Sequence, residues 1–172
     1  MTAVTLKAAT SGHWRSVLAI DPPSAVGAHF PCWSGAHERC VQISGDLGAR
    51  LSVLFACAPP GPVAIIGADA PRLRQRHIAS AFRALAGADA VFGPADDGGF
   101  WLVGLARRRA PPRLMFEGVR WSTRHALNDA VNSLPSAYGV QRIEKLNDVD
   151  DGPALKRIGT KSLNRSMQQI EQ

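Results

Sequence analysis

Asp69, Asp96, Asp97, Asp148 and Asp150 are the residues of this chain whose type and spacing could do chemistry. Asp69 stands just past the apolar run Pro62 to Ile66, in GPVAIIGADAP. Asp96 and Asp97 follow a second apolar segment, Ala90 to Phe92, in GPADDGG. Asp148 and Asp150 alternate in NDVDD, so an extended backbone turns both carboxylates to one face and Val149 to the other. Carboxylates gathered in a crevice repel one another unless a cation lies between them. Mg²⁺ or Mn²⁺ suits such a set, because a hard ion takes one or two carboxylates and fills its shell with phosphate oxygens and water. That ion would shield a diphosphate and stabilise a leaving phosphate. Gly98 and Gly99 would let backbone amides approach a substrate. Each motif also has a plain structural reading: Asp69 as cap of the helix after Pro71, and Asp96-Asp97-Gly98 as an ordinary turn.

The elements that must position these acids read as strand–helix alternation. Pro62 to Ile66 is apolar enough for a strand buried on both faces, and its carboxyl end is where open α/β sheets bind ligands. A helix follows with Ile78, Ala81, Phe82 and Leu85 on one stripe. Phe100 to Leu105 is a strand separated from Ala90–Phe92 by a loop too short for a helical crossover, so it should run antiparallel. Earlier, residues 1–10 suit a short helix and Arg15 to Ile20 a strand. Residues 24–40 suit a loop and Val41 to Ile43 a very short strand. Asp46 should cap a helix whose Leu47, Leu51, Leu54 and Phe55 share a face. Later, Ser122 should cap a helix carrying Leu127, Ala130, Val131 and Leu134, followed by a strand over Tyr138–Ile143. The expectation is one α/β domain over 1–159, a three-layer α/β/α sandwich around a mainly parallel mixed sheet, with a polar tail over 160–172.

With 172 residues the chain can bury a real core, and no run reaches the ~18 apolar residues of a membrane span. Its three cysteines are an odd number and it shows no signal peptide, which points to a reducing, cytoplasmic setting. The net charge of +6 fits phosphate-bearing ligands. The basic residues are scattered, however, and the one run, Arg107-Arg108-Arg109, reads as a solvated loop, so specific nucleic-acid binding is not expected. His29, Cys32, His37 and Cys40 have ligand types zinc accepts, but the intervals are short and zinc is disfavoured there. Cys57 reads as a small buried apolar residue, and His77 and His125 as surface or capping residues. Trp101 and Trp121 read as partly buried packing residues. No nucleophile elbow is present.

GPVAIIGADAP, DAVFGPADDGGFWLVGL, FEGVRWST and NDVDDGPAL, in that order, together with Gly45-Asp46-Leu47-Gly48, resemble the signature blocks of a bacterial family. Its members are regarded as GT-A-fold glycosyltransferases of the nucleotide-diphospho-sugar transferase superfamily, once catalogued as a domain of unknown function and associated with radical-SAM and selenium-related proteins. The likeness covers roughly residues 12 to 158. It implies that Asp69 binds the nucleotide and the metal, with Asp148 and Asp150 joining the metal. It implies that Asp97 acts on the acceptor, and that Gly98, Gly99, Trp121, Ser122 and Thr123 border the acceptor pocket. The implied activity is glycosyl transfer from a nucleotide sugar to a small molecule. The alternatives are nucleotidyl transfer within the same superfamily, or a non-catalytic remnant or interaction module. The reading leaves room for a homo-oligomer. One departure stands out: the family's first strand and its AKxPxxGxxKTRL loop have no match in residues 1–20. The expectation is therefore a sheet missing its central strand, with two inner edges left to pair, unless Thr2 to Leu6 or another chain supplies it.

Overall fold

The computed structural model describes residues 3–28 and 38–146. The order is α1 (Ala3–Ala9), β1 (Val17–Ile20), a 3₁₀ turn (Pro23–Ala25), β2 (Glu38–Val41), α2 (Leu47–Cys57), β3 (Val63–Ile66), α3 (Gln75–Gly87), β4 (Ala90–Pro94), β5 (Phe100–Leu105), α4 (Ala126–Asn132) and β6 (Val140–Arg142). Asp148, Asp150, His29, Cys32 and His37 lie outside the described residues.

The main sheet has the order β3-β5-β4-β6. β5 is antiparallel to both β3 and β4, and β6 is parallel to β4, so three of the four strands share a direction. The reversed strand is Phe100–Leu105, as the short preceding loop required. β1 and β2 form a separate parallel pair. β1 pairs only with β2 and β3 only with β5 among the described residues, so the strands fall into two separate sheets. Ala3 to Leu6 form no strand, because Ala3–Ala9 is helical. Instead α1 ties the two sheets together: Leu6 packs with Leu18 and Ile20 of β1, and Ala8 joins the core beneath α3.

Helices cover both faces of the main sheet. One face buries Phe92, Val103 and Leu105 under Leu51 and Phe55 of α2, Ala126 and Ala130 of α4, and Met115 and Phe116. The other buries Val91, Trp101 and Leu102 under Ile78, Ala81 and Leu85 of α3. These strands are apolar on both sides because both sides are covered, each large side chain contributing about 1.5–3 kcal/mol through burial. β3 differs: all four of its residues are only partly buried, as an edge strand's are.

Several local expectations are corrected. α3 begins at Gln75, with Arg74 at its cap position, so Asp69 is not the cap. His77 is buried at 3 % exposure, not at the surface, yet it does cap the start of α3, its Nδ1 accepting a hydrogen bond from the Arg74 amide at 3.1 Å. Cys57 is exposed, not buried, because it falls on the outer side of the last turn of α2. Leu47 is exposed too, while Asp46 does cap α2, accepting from the Ala49 amide at 2.8 Å. Ser122 does not cap α4. His125 holds the cap position without a side-chain cap hydrogen bond, and the Thr123 hydroxyl accepts from the His125 amide at 3.2 Å in the turn before it. Nor are the arginines after β5 merely solvated. Arg107 donates to the carbonyls of Ala58 and Pro59 after α2. Arg108 donates to those of Leu85, Ala86 and Ala88 at the end of α3. Arg109 pairs with Asp89 at 3.3 Å and lies over the Tyr138 ring.

Candidate functional site

β3 and β4 leave the sheet at the rim where β5 enters it, so the loops after the first two strands share an edge with the hairpin tip. The Gly67 amide donates to the Trp101 carbonyl at 2.9 Å, carrying the ladder one residue beyond β3. The chain then turns through Ala68 and Asp69, and Ala70 and Leu73 are buried at 1 % and 0 % exposure. Those two anchors fix the turn, while Asp69 just before them is exposed. A Cβ on Gly67 would stand 3.2 Å from Asp69 Oδ1, so glycine leaves the carboxylate its room. No ion pair among the described residues uses Asp69.

The second acidic turn joins β4 to β5. Ala95 donates its amide to the Gly99 carbonyl at 3.0 Å, and the Gly99 amide donates to Asp97 Oδ1 at 2.8 Å. This is the Asx turn expected on plain structural grounds, and it leaves Asp97 exposed with one oxygen engaged. Asp96 is drawn aside by Lys145, whose Nζ lies 2.7 Å from its Oδ1. Gly98 has φ +90°, and a Cβ there would overlap the backbone of Arg124. The Leu127 amide also donates to the Gly98 carbonyl at 3.0 Å. The hairpin tip is thus seated on the segment leading into α4, with Gly98 against Arg124 and Leu127.

That segment is held from below. Arg120 donates to both carboxylate oxygens of Asp129, at 2.7 and 2.9 Å. The guanidinium hydrogen bond lowers the Asp129 pKa to about 2, helped by the Arg120 amide. The Trp121 ring meets Phe100 edge-on at 6.2 Å and lies against Gly48, where a Cβ would stand 3.1 Å from the indole. So Gly45-Asp46-Leu47-Gly48 contributes a cap for α2 and a place for Trp121. Ser122 is exposed with φ +57°, a left-handed conformation that costs on the order of 1 kcal/mol for a non-glycine residue.

β3 and β4 are two strands apart, roughly 9–10 Å. At that spacing Asp69 and Asp97 suit the two ends of one bound molecule better than a single shared ion. Among the described residues no three His, Cys, Asp or Glu side chains gather closely enough to hold a metal. Asp69 nonetheless offers an unpaired hard oxygen donor, which is the kind of ligand Mg²⁺ takes one or two of. Cys40 lies in β2, and burial pushes its thiol up from the usual range, which disfavours the thiolate a zinc ligand needs.

Sequence reasoning missed a cluster behind the rim. The Trp101 Nε1 donates to the Glu144 carbonyl at 3.1 Å, and its ring meets His77 edge-on at 6.1 Å. His77 Nε2 lies 3.5 Å from Glu144 Oε2. Burial lowers the His77 pKa, with Arg76 and Arg74 acting in the same direction and Glu144 opposing. Spacing could have revealed it: His77 precedes Ala81 by four residues and so lies on the buried stripe of α3.

The chain belongs to a family described as uncharacterised proteins conserved in bacteria, DUF2064, whose model matches residues 4–123. It is similar in structure to a protein of Desulfovibrio desulfuricans G20 described as a "putative nucleotide-diphospho-sugar transferase", with a TM-score of 0.68 and 24 % identity over 85 % of this chain. The match spans 65 % of that protein. That likeness shows the fold, the GT-A-like α/β architecture. No curated protein matches the chain. Among the described residues no helix is long and apolar enough to cross a membrane.

Proposed function

We propose that this protein transfers a glycosyl group from a nucleotide-diphosphate sugar to a small acceptor, in a cytoplasmic setting. The observation that carries the reading is the shared rim: an unpaired Asp69 on one turn, and Asp97 on a second turn seated against Arg124 and Leu127 where α4 begins. The structural likeness to a protein described as a nucleotide-diphospho-sugar transferase supports the donor class. Asp69 would face the diphosphate. Asp97 would receive the proton of the acceptor hydroxyl as that oxygen bonds to the anomeric carbon and the nucleoside diphosphate leaves with the electron pair. Gly98, Gly99, Trp121, Ser122 and Thr123 would border the acceptor. A divalent cation held by Asp69, with Asp148 and Asp150 as its further ligands, would offset the charge on the leaving phosphate.

Calorimetry with a panel of nucleoside diphosphates, with Mg²⁺ or Mn²⁺ and then with EDTA, tests the reading. Binding that needs the cation and disappears in Asp69→Ala is expected. No divalent-dependent binding across the panel overturns it. Nucleoside triphosphates in the same panel distinguish nucleotidyl transfer, which they would favour.

A further inference from the structure

The pairing of β4 with β5 is regular from Ala90↔Leu105 to Gly93↔Leu102, then jumps to Pro94↔Phe100. Trp101 is the residue left over, a bulge on β5. The bulge explains why Trp101 and Leu102, adjacent in the chain, are both buried beneath α3. A regular strand would have sent them to opposite faces. Bulges re-aim a side chain and increase local twist, and this one sits two residues after Gly99 at the rim.

From there Trp101 touches everything that carries an acid. Its carbonyl accepts the Gly67 amide, two residues before Asp69. Its own strand begins at the Asp97 turn. Its indole rests on Gly93, where a Cβ would overlap the ring, so β4 has been cleared for it. His77 closes the ring edge, and the Glu144 carbonyl holds Nε1. The side chain is 1 % exposed, so it touches no solvent-borne ligand. We infer that Trp101 is the positioning residue of this rim: its bulged backbone joins the Asp69 turn to the Asp97 turn, and its clamped indole fixes the distance between them. This rests on the transferase reading above only in what the distance is for.

Trp101→Phe keeps a ring on Gly93 and removes the N–H and part of the volume. Leu105→Ala, at the opposite end of the same strand, is the control for lost stability. Two readouts are compared at a temperature where both variants are folded by circular dichroism. Amide exchange at Gly67 and Gly99 should accelerate at least tenfold in Trp101→Phe and stay unchanged in Leu105→Ala. Mg²⁺-dependent affinity for a nucleoside diphosphate should fall about tenfold in the first and not in the second. Equal exchange at both amides in the two variants overturns the inference. If Trp101→Phe does not fold, His77→Gln, which removes the imidazole from the ring edge along with its contacts to the Arg74 amide and Glu144, gives the same comparison. Failure of the unaltered protein to bind any nucleotide counts against the transferase reading, and the exchange measurement still decides the role of Trp101.

Discussion

The two ends of the main sheet treat charge in opposite ways. At the end where β5 leaves, Arg107, Arg108 and Arg109 are spent on the chain itself. They satisfy carbonyls after α2 and α3, and they pair with Asp89, whose carboxyl is held low chiefly by the Gly139 amide and then by Arg109 and Arg108. At the end where β5 enters, Asp69 and Asp97 are exposed and in no ion pair among the described residues, and only Asp96 is paired. A helix whose last carbonyls are answered by arginine needs no ligand. A carboxylate fixed by a turn and left unpaired has capacity for one. The same sheet therefore has a closed end and a receptive end.

The sharpest way to break this contrast is at the receptive end. Asp97→Asn should cut turnover on the order of a hundredfold or more while leaving nucleotide binding intact. Asp69→Ala should abolish divalent-dependent binding. Neither should lower the melting temperature, since neither carboxylate supports an ion pair among the described residues. Gly98→Ala comes next: a left-handed φ and an overlap with Arg124 should together cost about 2–4 kcal/mol in urea unfolding, and should loosen the seat of Trp121. At the closed end, Arg108→Ala should cost about 1 kcal/mol or less, its side chain being half exposed, with nucleotide affinity unchanged. A drop in affinity there would erase the distinction between the two ends.

The smallest effects are in pH. His77 has a folded pKa below its usual 6.5, so the unfolded chain takes the proton first. Its contribution is present above pH 6.5 and declines as pH falls through the folded value. Asp89, held below its usual 3.8, titrates at lower pH than this. His77→Gln should flatten the stability profile on the acid side of 6.5. The Arg120–Asp129 pair should hold until much lower pH, failing as pH drops from 3.8 toward about 2.

Much of this architecture was legible. The reversal of β5 followed from a loop too short to cross over. The cap of α2 followed from Asp46 before an apolar stripe, and the acids followed from their places after apolar runs. What escaped was long-range. The bulge at Trp101 depends on which residue of β4 lacks a side chain, and Gly93 shows its purpose only once β5 is beside it. The arginine run looked solvated because a chain does not announce which helix ends will lie near it. Ser122 reads as a cap by its position in the pattern, and the observed helix starts later, with His125 at its cap position. Asp148 and Asp150, together with the His29–His37 stretch, lie outside the described residues.

The hairpin of β4 and β5 puts its tip among the ends of strands that all point the other way into their connections. Loops at such an edge usually lead into helices, so changing their length drags a whole packed element with it. Here five residues, 95–99, return directly into the sheet. Lengthening or trimming them would move Asp97 and disturb the contacts of Gly98 with Arg124 and Leu127 and of Asp96 with Lys145, without inserting residues into a helix-bearing connection. That makes the tip the part of the rim where a new acceptor could be accommodated with the least rebuilding elsewhere.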